Sequence, residues 1–466
     1  MIDTDALRKK ILDLAICGKL SVQNTEIESA QNDLKELNLL KKDLLNNKIL
    51  KKEKIAECEN RDIPFEIPEN WRWCQLADLC KTVTDGTHKT PTYIEQGIPF
   101  LSVKNISSGT FDFKDVKYIS EQEHEELLKR CNPELGDVLF CRIGTLGKAI
   151  EIDFEPSFSI FVSLGLIKPL DPYLSKYLVN VFNSGYGERW ITKNKAGDSM
   201  HAAKINLDVL RAFIVPLPPR EEQKRIVKRL KALFALLDEI DNLQESYNSN
   251  IRTLRNKLID AGIQGKLTEQ FPEDGTAEKL YVDIQEEKAK LIKEQKIKKE
   301  KRLAEITEAE IPFNIPAHWK WVRLADVANR VWAGGDKPND FAPIASEGRT
   351  IPVVANGVTD DGILGYTSEA KAPAETITVA GRGTIGFCTY RNYEYCPIVR
   401  LIVIEPSRGV NPKYLKLVMY ALQERSVGSS IPQLTVPMIK PKLIPLPPYK
   451  EQLRIVDRIE EILSLI

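Results

Sequence analysis

Two short glycine-rich stretches hold the residues best suited to chemistry: RIGTLG at 142–147 and GRGTIG at 381–386. Glycines let a backbone come close to a partner, and an arginine beside them can reach an anion or a planar acceptor pair. A nucleotide-binding glycine turn needs a strand before it and a helix after it. Both stretches follow strand-like runs, but no helical pattern follows either one. They read as turns that bring backbone close to something, with Arg142 and Arg382 at comparable places. DPYL at 171–174 and NPKY at 411–414 approach the Asn/Asp-Pro-Pro-aromatic motif of amino-methyltransferases, but both lack its second proline. Asp or Asn before Pro is also how a helix N-cap followed by Pro at the first helical position is written, and that reading is adopted. There is no Walker GxxxxGK[ST] motif, and no carboxylate pair stands out from ordinary surface acids. The eight cysteines include no CxxC, Cys74 and Cys80 are the closest pair, and there are four histidines. This pattern points to a reducing cytoplasm and away from a zinc site.

The elements that must position these turns are duplicated. LRKKILDLAICGKL (7–20) returns as LRNKLIDAGIQGKL (254–267), and IPFEIPENWRWCQLAD (63–78) as IPFNIPAHWKWVRLAD (311–326). PLPPREEQKRIV (216–227) returns as PLPPYKEQLRIV (445–456), with nine of twelve letters shared. The offsets are 247, 248 and 229 residues, so segment 79–215 is longer than its counterpart 327–444. Similarity is strong in the repeated blocks and weak between them. A period near 250 residues is far too long for a solenoid and implies two domains on a shared framework.

That framework is helical. No proline interrupts 221–267, and apolar residues recur in steps of four and three at Ile226, Leu230, Leu233, Leu237, Ile240, Tyr247, Ile251, Leu254 and Leu258, with Gln244 in the one polar slot. This predicts a coiled-coil seam on a helix ~70 Å long. Ile455, Ile459 and Ile462 match the first half of that pattern, and Leu7 and Ile11 match its second half. The chain ends are therefore expected to lie close together, as an opened join lacking the counterpart of 238–247, and to pack antiparallel to the central helix. Charged segments at 34–57 and 277–305, both containing KKEK, read as solvated helical arms. The inserts carry short strand-like runs at 97–103, 136–144, 164–170, 350–356, 376–383 and 398–406. Helices are expected from Asp171-Pro172 and Asn411-Pro412. The fold class is α+β: two similar α/β domains joined by long antiparallel coiled-coil helices in a pseudo-two-fold cyclic arrangement. The boundaries are 1–24 (N-terminal helix), 25–62 (arm), 63–215 (first domain), 216–270 (central helix), 271–310 (arm), 311–444 (second domain) and 445–466 (C-terminal helix).

The alternation of variable and repeated segments, the IPxxIPxxWxWxxLxD entry and the PLPPxxEQxRIV exit together resemble the specificity (S) subunit of type I restriction–modification enzymes. The resemblance covers nearly the whole chain. It implies a non-catalytic subunit in which two target-recognition domains each read half of a bipartite double-stranded DNA site. The helices would set the spacing and bind two modification subunits. It further implies S-adenosylmethionine in those adenine-methyltransferase partners, ATP and Mg in motor-nuclease restriction subunits, and no cofactor in this chain. A fused methyltransferase-nuclease and a coiled-coil DNA-binding scaffold or regulator outside a restriction system are the alternative readings.

Under that resemblance, major-groove readout calls for Arg or Lys at guanine, Asn or Gln at adenine, and small polar groups for fit. The candidates in the first domain are Thr87, His88, Lys89, Lys104, Asn105, Arg142, Lys193, Lys195, Ser199 and His201. In the second they are Trp332, Lys337, Asn356, Arg382, Arg391, Ser429, Ser430 and Gln433. The formal net charge is zero, from 66 basic and 66 acidic residues. Segment 63–215 holds 17 basic and 20 acidic residues, and 311–444 holds 15 and 11. A protein gripping DNA through phosphates alone would show a basic excess, so weak or nonspecific binding is expected of the isolated chain.

Overall fold

The computed structural model describes residues 1–22, 28–56, 63–197, 203–424 and 433–465. The chain divides into two compact units, Met1–Glu245 and Ser246–Ile466.

Each unit is entered and left through the same antiparallel pair. In the first, Arg72–Gln75 pairs with Ile214–Leu217, placing Trp73 opposite Pro216. In the second, Lys320–Arg323 pairs with Leu443–Leu446, placing Trp321 opposite Pro445. Beyond this pair lie a four-stranded and a three-stranded sheet. The first unit's larger sheet runs in the order Cys80–Asp85, Leu164–Pro169, Val138–Cys141, Ala149–Glu151, and the second's in the order Ala328–Ala333, Ile402–Pro406, Thr376–Val379, Cys388–Arg391. In each smaller sheet an antiparallel neighbour and a short parallel one flank a central strand, Ile98–Leu101 or Ile351–Val354. The two inserts thus share a topology that their sequences do not advertise. Strands such as Val138–Cys141 are buried along their whole length and read as unbroken apolar runs. Cys80–Asp85 and Ala328–Ala333 were not anticipated, because their mixed burial and polar side chains give no clean alternation.

The repeated junction letters are explained by contacts made twice. The indole of Trp71 donates to Glu222 Oε2 at 2.9 Å, and that of Trp319 donates to Glu451 Oε2 at 2.9 Å. Gln223 Nε2 donates to the Pro218 carbonyl (2.8 Å) and Gln452 Nε2 to that of Pro447 (3.0 Å). The hydroxyls of Tyr177 and Tyr414 donate to the carbonyls of Pro216 and Pro445. A second partner meets each glutamate: Ser21 Oγ donates to the other oxygen of Glu222, Oε1, at 2.8 Å, and His318 Nε2 lies 3.0 Å from Glu451 Oε2, the oxygen Trp319 also bonds. Both glutamates are fully buried, so pairing with the strand-entry tryptophan, more than the helix dipole, accounts for their presence. Burial pushes the Glu222 carboxyl above its ordinary range, against the hydrogen bonds from Ser21 and Trp71.

The central helix is continuous over Arg220–Ile263, beginning directly after Pro219. Within the first unit, Thr4–Ile16 runs antiparallel along it: Ile2 N–H donates to Gln244 Oε1 (2.6 Å), Thr4 Oγ1 to Asp241 (2.5 Å), and Arg8 to Asp238 (2.7 Å). The polar Gln244 slot is therefore filled by the backbone of Ile2. Within the second unit, Tyr449–Ser464 packs its Ile455, Val456 and Ile459 into a core that includes Ile259 and Ile263. The seam is less regular than the heptads suggest. Ile226, Leu230 and Leu237 are buried, and Leu233, Ile240, Ile251 and Leu258 are half-buried, but Tyr247 and Leu254 are exposed. Near its end the helix buries Ile259 and Ile263 instead, as their counterparts Leu12 and Ile16 are buried in the first unit. The cause is what the helix faces: in the first unit Leu12, Ile16, Ile226 and Leu230 join a core built on Trp71, Tyr177, Phe182 and Phe213, whose contacts do not follow a seven-residue repeat.

The charged arms differ from the expected solvated helices in two ways. Helix occupies only Ala30–Asn46 and Ala277–Lys293. Lys48 and Gln295 then take positive φ values of 58° and 57°, and the next residue's N–H reaches back to Leu44 or Leu291, each at 2.9 Å. This is the left-handed helix stop, so both KKEK stretches lie beyond the helices. The arms are also docked. Lys288 Nζ donates to the carbonyls of Ala325 (2.6 Å) and Ala328 (2.7 Å), burial pulls its pKa down, and Lys41 likewise donates to the carbonyl of Ala77.

Candidate nucleic-acid interface

The two glycine-rich turns close equivalent strands. In the first unit, Gly147 N–H donates to the Cys141 carbonyl (2.9 Å) and Ile205 N–H to that of Arg142 (2.9 Å). In the second, Gly386 N–H donates to Ala380 (2.8 Å) and Leu434 N–H to Gly381 (2.9 Å). Cys141 therefore corresponds to Ala380 and Arg142 to Gly381. Arg382 corresponds to Ile143, so the two arginines are one residue out of register. That offset sends their side chains to opposite sides: Arg142 is buried, and Arg382 is exposed.

Arg142 makes an ion pair with Asp85 at 2.6 Å, and both side chains are under one-tenth exposed. Its guanidinium also donates to the carbonyls of Ile205 and Val162, each at 3.1 Å. Burial lowers its pKa while Asp85 opposes the shift. Asp85 gathers two further partners, Arg130 at 2.9 Å and His88 Nε2 at 3.1 Å, both with side chains more than half exposed. In the second unit the counterparts of Asp85 and Arg142 are Ala333 and Gly381. There Asn356 closes the junction, accepting from Gly381 N–H (2.8 Å) and donating to the Val399 carbonyl (2.7 Å). An ion pair in one unit and an amide in the other hold the same meeting point of two sheets. Glycines allow the close approach: a Cβ on Gly86 would lie 2.0 Å from the Ile160 carbonyl oxygen, and one on Gly334 2.5 Å from that of Pro397.

The described first-unit candidates fall into three groups. His88, Lys89, Lys104, Lys193 and Lys195 are exposed, with Lys193 and Lys195 at the end of Gly185–Asn194. Thr87 is half-buried, and its N–H donates to the Ile160 carbonyl (3.1 Å). Asn105 and Arg142 are interior. Asn105 accepts from Ser102 N–H (2.9 Å) and donates to the Asp112 carbonyl (3.0 Å). Ser199 and His201 lie outside the described residues.

In the second unit Lys337 and Arg382 are exposed. Lys337 Nζ sits 3.5 Å from the centre of the Phe341 ring, and Arg382 donates to Gln433 Oε1 at 3.2 Å. Trp332 packs among apolar neighbours and donates to Glu405 (2.7 Å). Arg391 is 2% exposed, bonded to Thr378 Oγ1 (3.2 Å), the Asp361 carbonyl (2.6 Å) and Tyr393 Oη (2.9 Å). Asn356 is held at both ends as described. Ser429 and Ser430 lie outside the described residues. Asn411 and Asp171 are caps: their side chains accept from Tyr414 N–H (3.0 Å) and Tyr173 N–H (3.2 Å).

Three exposed cations at these rims escaped sequence reasoning. Lys204 is bridged to both Ile143 and Ala196 and, at the 229 offset, is the counterpart of Gln433, so the repeat could have found it. Arg130 reaches Asp85 across 45 residues, with no local signal. Arg400 lies in a turn between Cys396–Pro397 and Ile402–Pro406, inside what reads as one apolar run. Among the described residues no group of three His, Cys, Asp or Glu side chains could hold a metal ion, and no helix is long and apolar enough to cross a membrane.

The sequence profile of the type I restriction modification DNA specificity domain matches residues 68–246 and 316–466, well over half the chain. The specificity subunits of the EcoAI and EcoEI type I restriction enzymes, both from Escherichia coli, are each 26% identical over 76% and 70% of this chain. The matches span 67% and 62% of those relatives, about two thirds of their length. A chain from a solved type I R-M system structure superposes with a TM-score of 0.60 at 19% identity, covering 86% of this chain and 92% of that one, which shows a shared fold. Two matched segments, each spanning one strand-entry tryptophan and one insert, place the chain in the type I restriction–modification DNA specificity family.

Proposed function

We propose that the chain is the DNA-reading, non-catalytic subunit of a type I restriction–modification complex, each unit reading one half of a bipartite double-stranded site. The observation that carries this reading is the duplication itself. Two units of one topology carry different chemistry at and behind their rims, Asp85, Arg130, Arg142 and Lys204 against Asn356, Arg382 and Arg400, on junctions that repeat the same tryptophan–glutamate contact. A repeated frame suits docking one kind of partner twice, whereas unlike rims suit reading two unlike sequences. The partners are two adenine-methyltransferase subunits carrying S-adenosylmethionine, joined by restriction subunits using ATP and Mg, in the cytoplasm. The helices between the readers set the unread spacer. The exposed candidates carry forward as DNA contacts, joined by Arg130 and Lys204, and the interior Asn105, Arg142 and Arg391, with the half-buried Asn356, act by shaping the rims. Zero net charge means that the partners supply part of the phosphate grip.

The test is coexpression with the cognate methyltransferase in an unmethylated host, followed by methylome sequencing. A split adenine-methylated motif is expected, and exchanging 79–215 for another reader should change one half only. A change in both halves, or a continuous motif, overturns the reading.

A further inference from the structure

We infer that Arg400 is a specificity-determining residue of the second unit, a guanidinium presented by a strained turn to a guanine edge in that unit's half-site; this rests on the DNA-reading function proposed above. Val399 and Arg400 have φ values of 53° and 59°. Two successive non-glycine residues in the left-handed region are uncommon, and a β-branched residue there is a true outlier. Such strain persists only where the surroundings over-determine it, and it gathers at functional sites.

Three hydrogen bonds hold the turn in place. Val399 N–H donates to the Gly335 carbonyl (2.9 Å), Arg400 N–H to that of Gly334 (3.2 Å), and Asn356 Nδ2 donates to the Val399 carbonyl (2.7 Å). The counterpart Val162 makes the same backbone bond, to Thr87 (3.0 Å), without positive φ. The strain is thus a property of the second reader and not a requirement of the topology. Nor does packing need it, since both side chains are exposed, Val399 by 48%.

The turn sits among the exposed cations of this rim. Gly334 leads directly into the loop that carries Lys337. A Cβ on Gly381, the neighbour of Arg382, would lie 3.4 Å from the Arg400 carbonyl oxygen. Lys337 rests on Phe341 and Arg382 bonds Gln433. Among the described residues the Arg400 side chain has neither a carboxylate nor a ring partner, so its five donors are available. A rigid backbone and a planar fork suit bidentate pairing with guanine O6 and N7, in a fixed plane that the flexible point charge of a lysine holds less well.

The test uses the full chain coexpressed with its methyltransferase. Arg400→Ala should relax one guanine of the second half-site, cutting discrimination there about tenfold or more, with the first half-site unchanged. Arg400→Lys should restore it only in part. An unchanged motif in Arg400→Ala, or full restoration by lysine, overturns the assignment. Absence of a split motif in the unaltered protein would instead sink the underlying reading. Val399→Gly should raise hydrogen-exchange protection of the Leu401 amide, which closes the turn on the Ile398 carbonyl at 3.1 Å, by about fivefold or more, because glycine adopts positive φ without penalty. Lowered protection would show that the turn is not strained and would remove the structural basis of the inference.

Discussion

The Asp85–Arg142 pair offers a sharp test, because the other half of the molecule supplies the control. Asp85→Ala leaves a buried guanidinium with two carbonyl acceptors and no counter-ion. Breaking a buried pair from one side costs ~3–5 kcal/mol. Arg142→Gly is expected to be milder, ~1–3 kcal/mol, since Asp85 retains Arg130 at 2.9 Å and His88 at 3.1 Å. The double variant carries the residues found at the equivalent places in the second unit, Ala333 and Gly381. Removing both charges also removes the stranded-charge penalty, so the double change should cost at least ~2 kcal/mol less than the two single costs combined, within the range seen for coupled neighbours. Two units in one chain make global unfolding an unsuitable readout. Native-state hydrogen exchange at the Ile205 amide, which bonds the Arg142 carbonyl, reports the opening of this junction directly. Additive single costs, within ~0.5 kcal/mol, would refute the view that the pair is held as buried charge.

The junction predicts its own costs. Trp71→Phe and Trp319→Phe each delete one 2.9 Å hydrogen bond to a buried carboxylate and should destabilise their units by ~1.5–3 kcal/mol; exchange protection at the Leu76 and Leu324 amides measures this, and losses under ~0.5 kcal/mol would contradict it. The Glu222 carboxyl is raised in the folded protein, so its contribution to stability is fully present below the ordinary carboxylate value and is lost as pH rises through the raised one. The protein should therefore gain stability over Glu222→Gln as pH falls through that window, and a flat difference or one of opposite sign would count against the buried-carboxylate account. Leu237→Asp places a charge at a buried helix position and should impair copurification with the methyltransferase more than it alters the methylated motif; a changed motif with intact assembly would reverse that expectation.

Much of the architecture was legible because repetition is visible without knowing what it builds. The paired entry and exit blocks bounded both inserts, and the Asn411 and Asp171 caps followed from the residue before proline. The charged arms were misjudged because the lysines that anchor them, Lys41 and Lys288, look like any solvated lysine; only the carbonyls at the ends of Leu76–Leu79 and Leu324–Val327 give them a partner. The rims were less legible still. Arg142 and Arg382 look equivalent in one dimension, and a single-residue offset sends one inward and the other outward.

The sequence by itself determined the duplicated frame, the long proline-free helix and the family, because these depend on local periodicity and on residue types at short spacing. Tertiary structure alone decided which polar residues are spent inside the protein and which remain on the rims. That choice depends on partners between 43 and 63 residues away, Asn356 with Val399 and Arg142 with Ile205. A buried polar group stays where a distant carbonyl or carboxylate offsets its lost water, and no local pattern in the chain announces that distant partner.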